Sequence, residues 1–165
     1  NGLDQRHVEL MRDMVSVADL TFPNYTEACY LTGMPFKEEG MTWDEACHML
    51  DAIAGLGAKA VVITSAKVDG QSCVVGRRSD GQLVGIAQNF DDGRYFRIDY
   101  NEIPLTFPGT GDIFSSVLIG YLMNGETLKQ STQAAMEVVS RLIERNRNQD
   151  DIRLGIPIEQ CLDLL

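Results

Sequence analysis

Residues 107–114 read Phe-Pro-Gly-Thr-Gly-Asp-Ile-Phe and form the most informative segment of this 165-residue chain. Gly109 and Gly111 can take backbone angles that other residues resist, and they let a ligand approach the main chain. The free N–H groups of such a turn, where it enters an apolar helix, favour an anion such as phosphate. Asp112 would repel a phosphate, but it suits a base that takes a proton from a hydroxyl attacking that phosphate. The segment therefore predicts phosphoryl transfer, with a general base beside an anion hole.

The same segment has a second interpretation that involves no ligand. A glycine turn and an acidic residue in the first helical turn both suit a helix start, because the helix dipole favours negative charge there. The motif alone does not favour one interpretation over the other.

Helical and strand-like segments alternate along the chain. Apolar residues at helical spacing predict helices, and short apolar or β-branched runs predict strands. The predicted helices are residues 3–17, 24–31, 42–56, 113–123 and 127–146, with a short last helix at 158–165. The predicted strands are residues 18–22, 60–64, 72–77, 82–88 and 94–99, with Asp-Gly hairpin turns at 80–81 and 92–93. The order indicates an α/β fold with a parallel core sheet and antiparallel edge strands. The helix at 113–123 is apolar on most faces, which predicts a buried central helix.

Composition argues against several classes of function. The net charge of −10 makes broad binding to nucleic acid or to an anionic membrane unfavourable, so an anionic ligand has to be held locally. No apolar run is long enough to span a membrane. The four cysteines include no C-x-x-C pair, which argues against a zinc site and a disulfide framework and favours a reducing cytoplasm.

Three segments resemble, in order and spacing, the motifs of the pyridoxal kinases, which belong to the ribokinase-like superfamily. They are Ala-Asp-Leu-Thr-Phe-Pro-Asn-Tyr-Thr-Glu-Ala at 18–28, Val-Ile-Thr-Ser at 62–65, and Gly-Thr-Gly-Asp-Ile-Phe at 109–114. Related sugar kinases more often have Gly-Ala-Gly-Asp, and hydroxymethylpyrimidine kinases usually have Cys where this chain has Asp112. The combination of Thr110 and Asp112, with Thr64 and Ser65 before it, favours the pyridoxal kinase branch.

The resemblance implies a three-layer α/β/α fold in which residues 1–165 form the C-terminal, ATP-binding and catalytic part of one kinase domain. It also implies ATP-dependent phosphorylation of the 5′-hydroxyl of pyridoxal, pyridoxine or pyridoxamine. Asp112 would be the catalytic base. The backbone amides of Gly109, Thr110, Gly111 and Asp112 would form the anion hole for the transferring phosphoryl group.

The resemblance further assigns a nucleotide side to the site, on residues that also have structural interpretations. Asn24 would lie near the ATP phosphates and Glu27 would organise magnesium, mainly through water, but the same pair is also a good helix cap. Thr64 and Ser65 follow the apolar run Ala60–Ile63 at the end of a predicted strand, where hydroxyls can bind phosphate or satisfy a turn. Phe107 would line the adenine pocket, although apolar packing would explain it equally well.

Cofactors and partners follow from the resemblance as well. We expect Mg²⁺, ATP as co-substrate and a B6 vitamer, with a monovalent cation as an additional candidate. We expect no nucleic acid and no membrane partner, in a cytoplasmic protein that is a homodimer at full length. The family's substrate pocket and its Asp-Pro-Val segment near the metal do not occur in this sequence, so we expect part of a larger fold that is inactive alone. The rival functions are another ribokinase-like kinase for a small alcohol and a non-catalytic nucleotide-binding fragment.

Overall fold

The computed structural model describes residues 4–78, 93–149 and 151–165, and the chain forms two compact units, Asn1–Asn101 and Glu102–Leu165. The described part of the first unit contains α-helices and one four-stranded sheet. The helices are α1 (Gln5–Ser16), α2 (Tyr25–Thr32) and α3 (Trp43–Gly55). The strands are β1 (Leu20–Thr21), β2 (Ala60–Val68), β3 (Gln71–Arg77) and β4 (Tyr95–Asp99). The predicted strands at 18–22, 60–64, 72–77 and 94–99 are thereby confirmed, although β1 is only two residues long.

The sheet of the first unit is mixed, with the strand order β1-β2-β3-β4. β1 pairs with β2 in parallel, with Leu20 opposite Ala60, whereas β2–β3 and β3–β4 are antiparallel. β2 is therefore the strand at which parallel pairing changes to antiparallel pairing. Its first residues, Ala60 to Ile63, are completely buried, as expected for a strand that is covered on both faces.

The helices of the first unit confirm the predicted ones, and each begins at a polar side chain. Asp4 accepts a hydrogen bond from the His7 N–H at 2.9 Å. The predicted capping box of Thr42 and Glu45 is present in both directions at the start of α3. Gly33 ends α2 in the left-handed conformation, with a φ of 75°. Local polar groups thus fix where these helices begin and end.

The hairpin between β2 and β3 is a turn that the sequence analysis did not identify. Asp69 and Gly70 have φ angles of 50° and 82°, as two-residue hairpin turns with positive φ at both central positions require. Val68 pairs with Gln71 across this turn. The signal was available as a third Asp-Gly pair. The predicted strand at 82–88 and the predicted turn at 80–81 lie outside the described residues, as does Asp92 of the turn at 92–93.

The described part of the second unit is helical. Two α-helices, α4 (Thr110–Met123) and α5 (Leu128–Arg145), precede three short 3₁₀ helices at Ile152–Leu154, Ile158–Gln160 and Leu162–Leu164. α5 confirms the prediction at 127–146. The short last helix predicted at 158–165 is present as two 3₁₀ helices rather than as one continuous helix. None of the helices in the described ranges is long and apolar enough to cross a membrane.

α4 begins at Thr110, three residues before the predicted start, and it is not buried on most faces. Phe114, Leu118 and Leu122 form its buried stripe, at the spacing of one helical face. Met123 is 72 % exposed and Ile119 is 43 % exposed. The prediction of a buried central helix is therefore wrong for this structure. Apolar composition indicates that a helix can be buried, but not how many of its faces find a partner.

Candidate active site

The predicted anion hole lies at the start of α4, which begins differently from the other described α-helices. α1, α2, α3 and α5 each begin at a side chain that accepts a hydrogen bond from a first-turn N–H. The N-cap residue of α4 is Gly109, and no side chain caps this helix. The first N–H groups of a helix have no acceptor within the helix. Those of Thr110, Gly111 and Asp112 are therefore available to an anion, in the positive field of the helix dipole.

Open space surrounds the two glycines of this turn. A Cβ added at Gly109 or Gly111 would meet no described protein atom within 4 Å, whereas a Cβ at Gly40 or Gly57 would collide with a backbone carbonyl. Gly109 is explained by its left-handed φ of 84°. Gly111 lies inside the helix, where glycine costs about 0.5–1 kcal/mol relative to alanine. No contact in the described residues accounts for Gly111, so its missing side chain suits the close approach of a ligand.

Asp112 is exposed at the third position of α4, and its carboxylate has no hydrogen-bond or ion-pair partner among the described residues. Glu27 and Glu45 occupy the third positions of α2 and α3, and both bond back to the N–H of their N-cap residue. Asp112 makes no such bond, so a capping box does not account for it, although an acidic residue in the first turn still suits the helix dipole. It opens onto a cleft of about 490 Å³ whose walls are mainly apolar and include Val117 and Tyr121. An exposed carboxylate that lines such a cleft can accept a proton.

Hydroxyl groups fix the backbone on both sides of Asp112. Thr110 Oγ1 donates to the Phe107 carbonyl oxygen at 3.1 Å, which closes the turn before the helix. Ser116 Oγ donates to the Asp112 carbonyl oxygen at 2.8 Å, one turn further along. Phe107 itself is 1 % exposed and packs with Leu142 in the apolar core of the second unit. Its burial favours the packing interpretation over a role in an adenine pocket.

The other predicted site residues lie together in the first unit, where α2 begins beside β2. Asn24 Oδ1 accepts from the Glu27 N–H, and Glu27 Oε2 accepts from the Asn24 N–H, both at 2.9 Å. Asn24 forms a parallel bridge with Thr64, whose N–H donates to the Pro23 carbonyl oxygen at 3.0 Å. The capping interpretation of Asn24 and Glu27 is therefore realised. It uses one oxygen of each side chain, which leaves the Asn24 amide N–H groups and the second Glu27 oxygen for a ligand.

Thr64 and Ser65 lie inside β2 rather than beyond its end, which corrects the sequence prediction. The strand continues past them, and its register with β3 shifts between Ile63 and Ala66. Ser65 has a φ of 53°, in the left-handed region that residues other than glycine seldom occupy. No feature of the sequence signals this bulge, because Ser65 stands in a run that reads as an ordinary strand.

A magnesium ion would fit these residues only together with its substrate. No group of three or more His, Cys, Asp or Glu side chains within the described ranges could hold a metal ion. Glu27 is the single carboxylate among the predicted nucleotide-side residues. Magnesium in nucleotide sites is commonly held by one or two carboxylates, with water and substrate phosphates as the remaining ligands. Glu27 fits that pattern, with water and phosphate oxygens completing the coordination.

Comparison with known proteins identifies relatives along nearly the whole chain. The phosphomethylpyrimidine kinase family profile matches residues 2–155. Among curated proteins, the pyridoxal kinase of Dictyostelium discoideum is 28 % identical over 145 residues, which cover 82 % of this chain and 44 % of that protein. The chain therefore spans less than half the length of this curated relative.

Solved structures give the same result for the fold. A Bacteroides thetaiotaomicron protein assigned as a phosphomethylpyrimidine kinase and crystallised with pyridoxal is 30 % identical, with a TM-score of 0.81 over 99 % of this chain and 55 % of its own. The pyridoxal kinase of Leishmania donovani in complex with ADP is 21 % identical, with a TM-score of 0.72 over 99 % of this chain and 52 % of its own. The family match includes both the α2 cap and the uncapped Gly-Thr-Gly-Asp helix start. The chain therefore belongs to the phosphomethylpyrimidine kinase family and has the ribokinase-like fold.

Proposed function

We propose that this chain is the C-terminal, ATP-binding and catalytic part of a kinase that phosphorylates the 5′-hydroxyl of pyridoxal, pyridoxine or pyridoxamine. One observation carries the proposal. The Asp112 carboxylate has no partner among the described residues, and it stands in the first turn of the described α-helix whose N–H groups no side chain caps. That turn combines a proton acceptor with hydrogen-bond donors for a charged oxygen, and phosphoryl transfer to an alcohol requires both.

The roles of the residues follow from this chemistry. Asp112 takes the proton of the substrate hydroxyl as its oxygen forms a bond to the γ-phosphorus of ATP. The bond from that phosphorus to the bridging oxygen of ADP breaks, and ADP leaves. The N–H groups of residues 109–112 donate to the phosphoryl oxygens on which negative charge is spread. Because they are part of a fixed helix start, they need no reorganisation at the moment of reaction.

The predicted site residues of the first unit would bind the nucleotide. The Asn24 amide and the hydroxyls of Thr64 and Ser65 are neutral donors that suit phosphate oxygens. Glu27 would hold a magnesium ion through water, and the ion would supply neutralisation of phosphate charge when it is bound. The ADP complex of the Leishmania donovani pyridoxal kinase supports a nucleotide ligand for this fold.

The B6 vitamers are the substrate class that the relatives favour. The curated relative from Dictyostelium discoideum is a pyridoxal kinase, and the Bacteroides thetaiotaomicron protein was crystallised with pyridoxal. Asp112 stands where hydroxymethylpyrimidine kinases usually have Cys, which also favours this branch. The family description, phosphomethylpyrimidine kinase, favours a rival small alcohol, a hydroxymethylpyrimidine. We attribute the vitamer pocket to the part of the relatives' length that this chain does not span.

The remaining expectations belong to the same proposal. A cytoplasmic location is supported by the described cysteines, which are all free. Burial raises the pKa of the Cys29 and Cys73 thiols, which keeps them protonated and unreactive. A homodimer at full length and a monovalent cation beside Mg²⁺ remain predictions from the resemblance.

Turnover of a panel of alcohols by the full-length protein tests the proposal. With MgATP, we expect kcat/KM for pyridoxal, pyridoxine or pyridoxamine to exceed that for hydroxymethylpyrimidine and simple sugars by at least about tenfold, or 1.4 kcal/mol. A preference for hydroxymethylpyrimidine would establish the rival substrate. ATP binding without transfer to any alcohol would establish a non-catalytic nucleotide-binding module.

A further inference from the structure

The bulge in β2 breaks the alternation of the strand at two adjacent hydroxyl residues. Ile63 pairs with Val75 and Ala66 pairs with Cys73, so Thr64 and Ser65 together lie opposite a single residue of β3. An unbroken strand would send successive side chains to opposite faces. Here Ile63 and Ala66 are both buried, while Thr64 is half-buried and Ser65 is exposed. Because of the extra residue, both hydroxyl side chains lie outside the core, and the strand resumes its buried positions at Ala66.

The bulge depends on an unfavourable backbone conformation at Ser65. Its φ of 53° places it in the left-handed region, where the Cβ of an L-residue crowds the following carbonyl oxygen. Glycine takes this conformation without that cost, and asparagine tolerates it better than most residues. Selection for stability alone would favour either of them at this position. Strained residues of this kind cluster at binding and active sites, and bulges there re-aim side chains.

The residues around the bulge indicate which kind of ligand the two hydroxyls suit. Thr64 is bridged to Asn24 and donates its N–H to Pro23, so the bulge begins directly beside the N-cap of α2. The side-chain donors at this point are neutral: the half-buried amide of Asn24, the half-buried hydroxyl of Thr64 and the exposed hydroxyl of Ser65. A group of neutral donors beside a single carboxylate, Glu27, suits an acceptor-rich ligand that carries its own cation, as a magnesium-bound phosphate chain does.

We propose that the left-handed conformation of Ser65 is a positioning device that holds the Thr64 and Ser65 hydroxyls against the phosphate chain of the nucleotide. The inference rests on the proposed function, and it adds that the backbone at Ser65, and not only its hydroxyl, sets the affinity for ATP. The strain is retained because relaxing it would return Thr64 and Ser65 to opposite faces of β2.

Two substitutions in the full-length protein separate the backbone from the hydroxyl. Ser65→Thr keeps the hydroxyl, but its β-branched side chain disfavours the left-handed region. Ser65→Gly keeps the left-handed region and removes the hydroxyl. Asp69→Thr is the matched control, because Asp69 has a φ of 50° in the hairpin at the end of the same strand and lies outside the proposed site. The measurements are the dissociation constant for MgATP, the KM values for ATP and pyridoxal, and the thermal unfolding temperature without nucleotide.

We expect Ser65→Thr to weaken MgATP binding by at least about tenfold, with a raised KM for ATP and an unchanged KM for pyridoxal. Asp69→Thr should lower the unfolding temperature about as much as Ser65→Thr does, because both place a β-branched residue in the left-handed region. It should leave the MgATP affinity unchanged. Ser65→Gly should unfold at the parent temperature or above it. It should lose only the part of the MgATP affinity that the Ser65 hydroxyl contributes. Parental MgATP affinity in a folded Ser65→Thr protein would overturn the inference.

A second comparison decides the matter if Ser65→Thr does not fold. Ser65→Gly and Ser65→Ala both lack the hydroxyl, but only glycine takes the left-handed region without cost. The inference requires the glycine variant to bind MgATP more tightly than the alanine variant, and equal affinities would contradict it. Failure of the parent protein itself to bind MgATP would instead contradict the proposed function, which keeps the two failures distinct.

Discussion

Single side chains decide whether the start of α4 is a catalytic site or only the end of a helix. In α2 and α3 the acidic residue at the third position closes a capping box, with Glu27 bonded to Asn24 and Glu45 bonded to Thr42. Asp112 holds the same position in α4 and has no such partner. The sequence shows all three acidic residues, but it could not distinguish the two that close capping boxes from the one that does not. A capping box depends on the side chain and conformation of the N-cap residue. Gly109, in the left-handed region, has no side chain to offer a reciprocal bond.

Replacing Asp112 by asparagine tests the general base. Asp112→Asn keeps the shape of the side chain and removes its basicity, so the full-length enzyme should lose about 10²–10⁴ in kcat with little change in ATP affinity. Asp44→Asn is the matched control, because Asp44 is an exposed first-turn acid of α3. It should cost at most about 1 kcal/mol of unfolding free energy, with kcat unchanged. Near-normal turnover by Asp112→Asn would eliminate Asp112 as the base.

Gly111 offers a test in which stability and function move in opposite directions. A Cβ at this position meets no described protein atom within 4 Å, so Gly111→Ala should raise the unfolding free energy by about 0.5–1 kcal/mol. The same methyl group would occupy the space through which phosphate approaches, so ATP affinity should fall by at least about tenfold. Gly111→Val should weaken binding further. Gly55→Ala in α3 is the control, because its Cβ is also unobstructed; it should bind ATP as the parent does. Parental ATP affinity in Gly111→Ala would refute the anion-hole assignment.

Whole helices and strands were predictable where the deciding interactions are local. Capping residues such as Thr42 and Thr127 stand next to the segments they start, so the sequence located α3 and α5 within a residue or two. The bulge at Ser65 was not predictable, because it depends on the register of β2 with β3 and on the neighbouring α2 cap, and the local sequence pattern shows neither of them. The exposure of Met123 and Ile119 on α4 was missed for the same reason, since burial of a helix face requires a partner.

The helix start of α2 allows capping and metal binding to be separated. Glu27→Gln keeps an oxygen for the bond to the Asn24 N–H and removes the charge. If Glu27 organises magnesium, activity of the full-length enzyme should drop and partly recover as the magnesium concentration is raised. Glu45→Gln is the matched capping-box control. It also breaks the ion pair with Lys37, which with the Thr42 N–H lowers the Glu45 pKa to about 2.

The control should lower the thermal unfolding temperature without altering the magnesium dependence. A magnesium titration of Glu27→Gln that coincides with that of the parent would refute the metal role and leave Glu27 with its cap alone.

The molecule as a whole presents apolar side chains that have no cover within the described residues. Leu10 and Met14 of α1 and Val17, the residue that follows the helix, stand at helical spacing and are 53 %, 73 % and 84 % exposed. Such a stripe normally packs against another element. The chain also spans only 44 % of the length of its Dictyostelium discoideum relative. Catalysis requires both reactants to be held together, and that positioning is worth up to roughly 7–11 kcal/mol.

We therefore predict that residues 1–165 alone do not phosphorylate pyridoxal and that they self-associate through exposed apolar surface. Light scattering and a coupled ADP-release assay measure the two properties. Adding the part of the kinase fold that the relatives have and this chain does not span, covalently or as a separate chain, should restore activity and reduce self-association. A monodisperse monomer of these 165 residues that phosphorylates pyridoxal unaided would overturn the prediction.

If the uncapped start of α4 binds phosphate as we propose, the stability of the folded protein also depends on the supply of ligand. N–H groups left without an acceptor lower the stability of a helix end by about 1 kcal/mol compared with a capped one. A bound phosphate restores those bonds only in the folded chain, so mass action stabilises the folded state, by about 2.7 kcal/mol when the ligand exceeds its dissociation constant a hundredfold. Occupancy would then more than offset the missing cap. The same polypeptide would resist heat and proteolysis better where ATP is plentiful than where it is depleted.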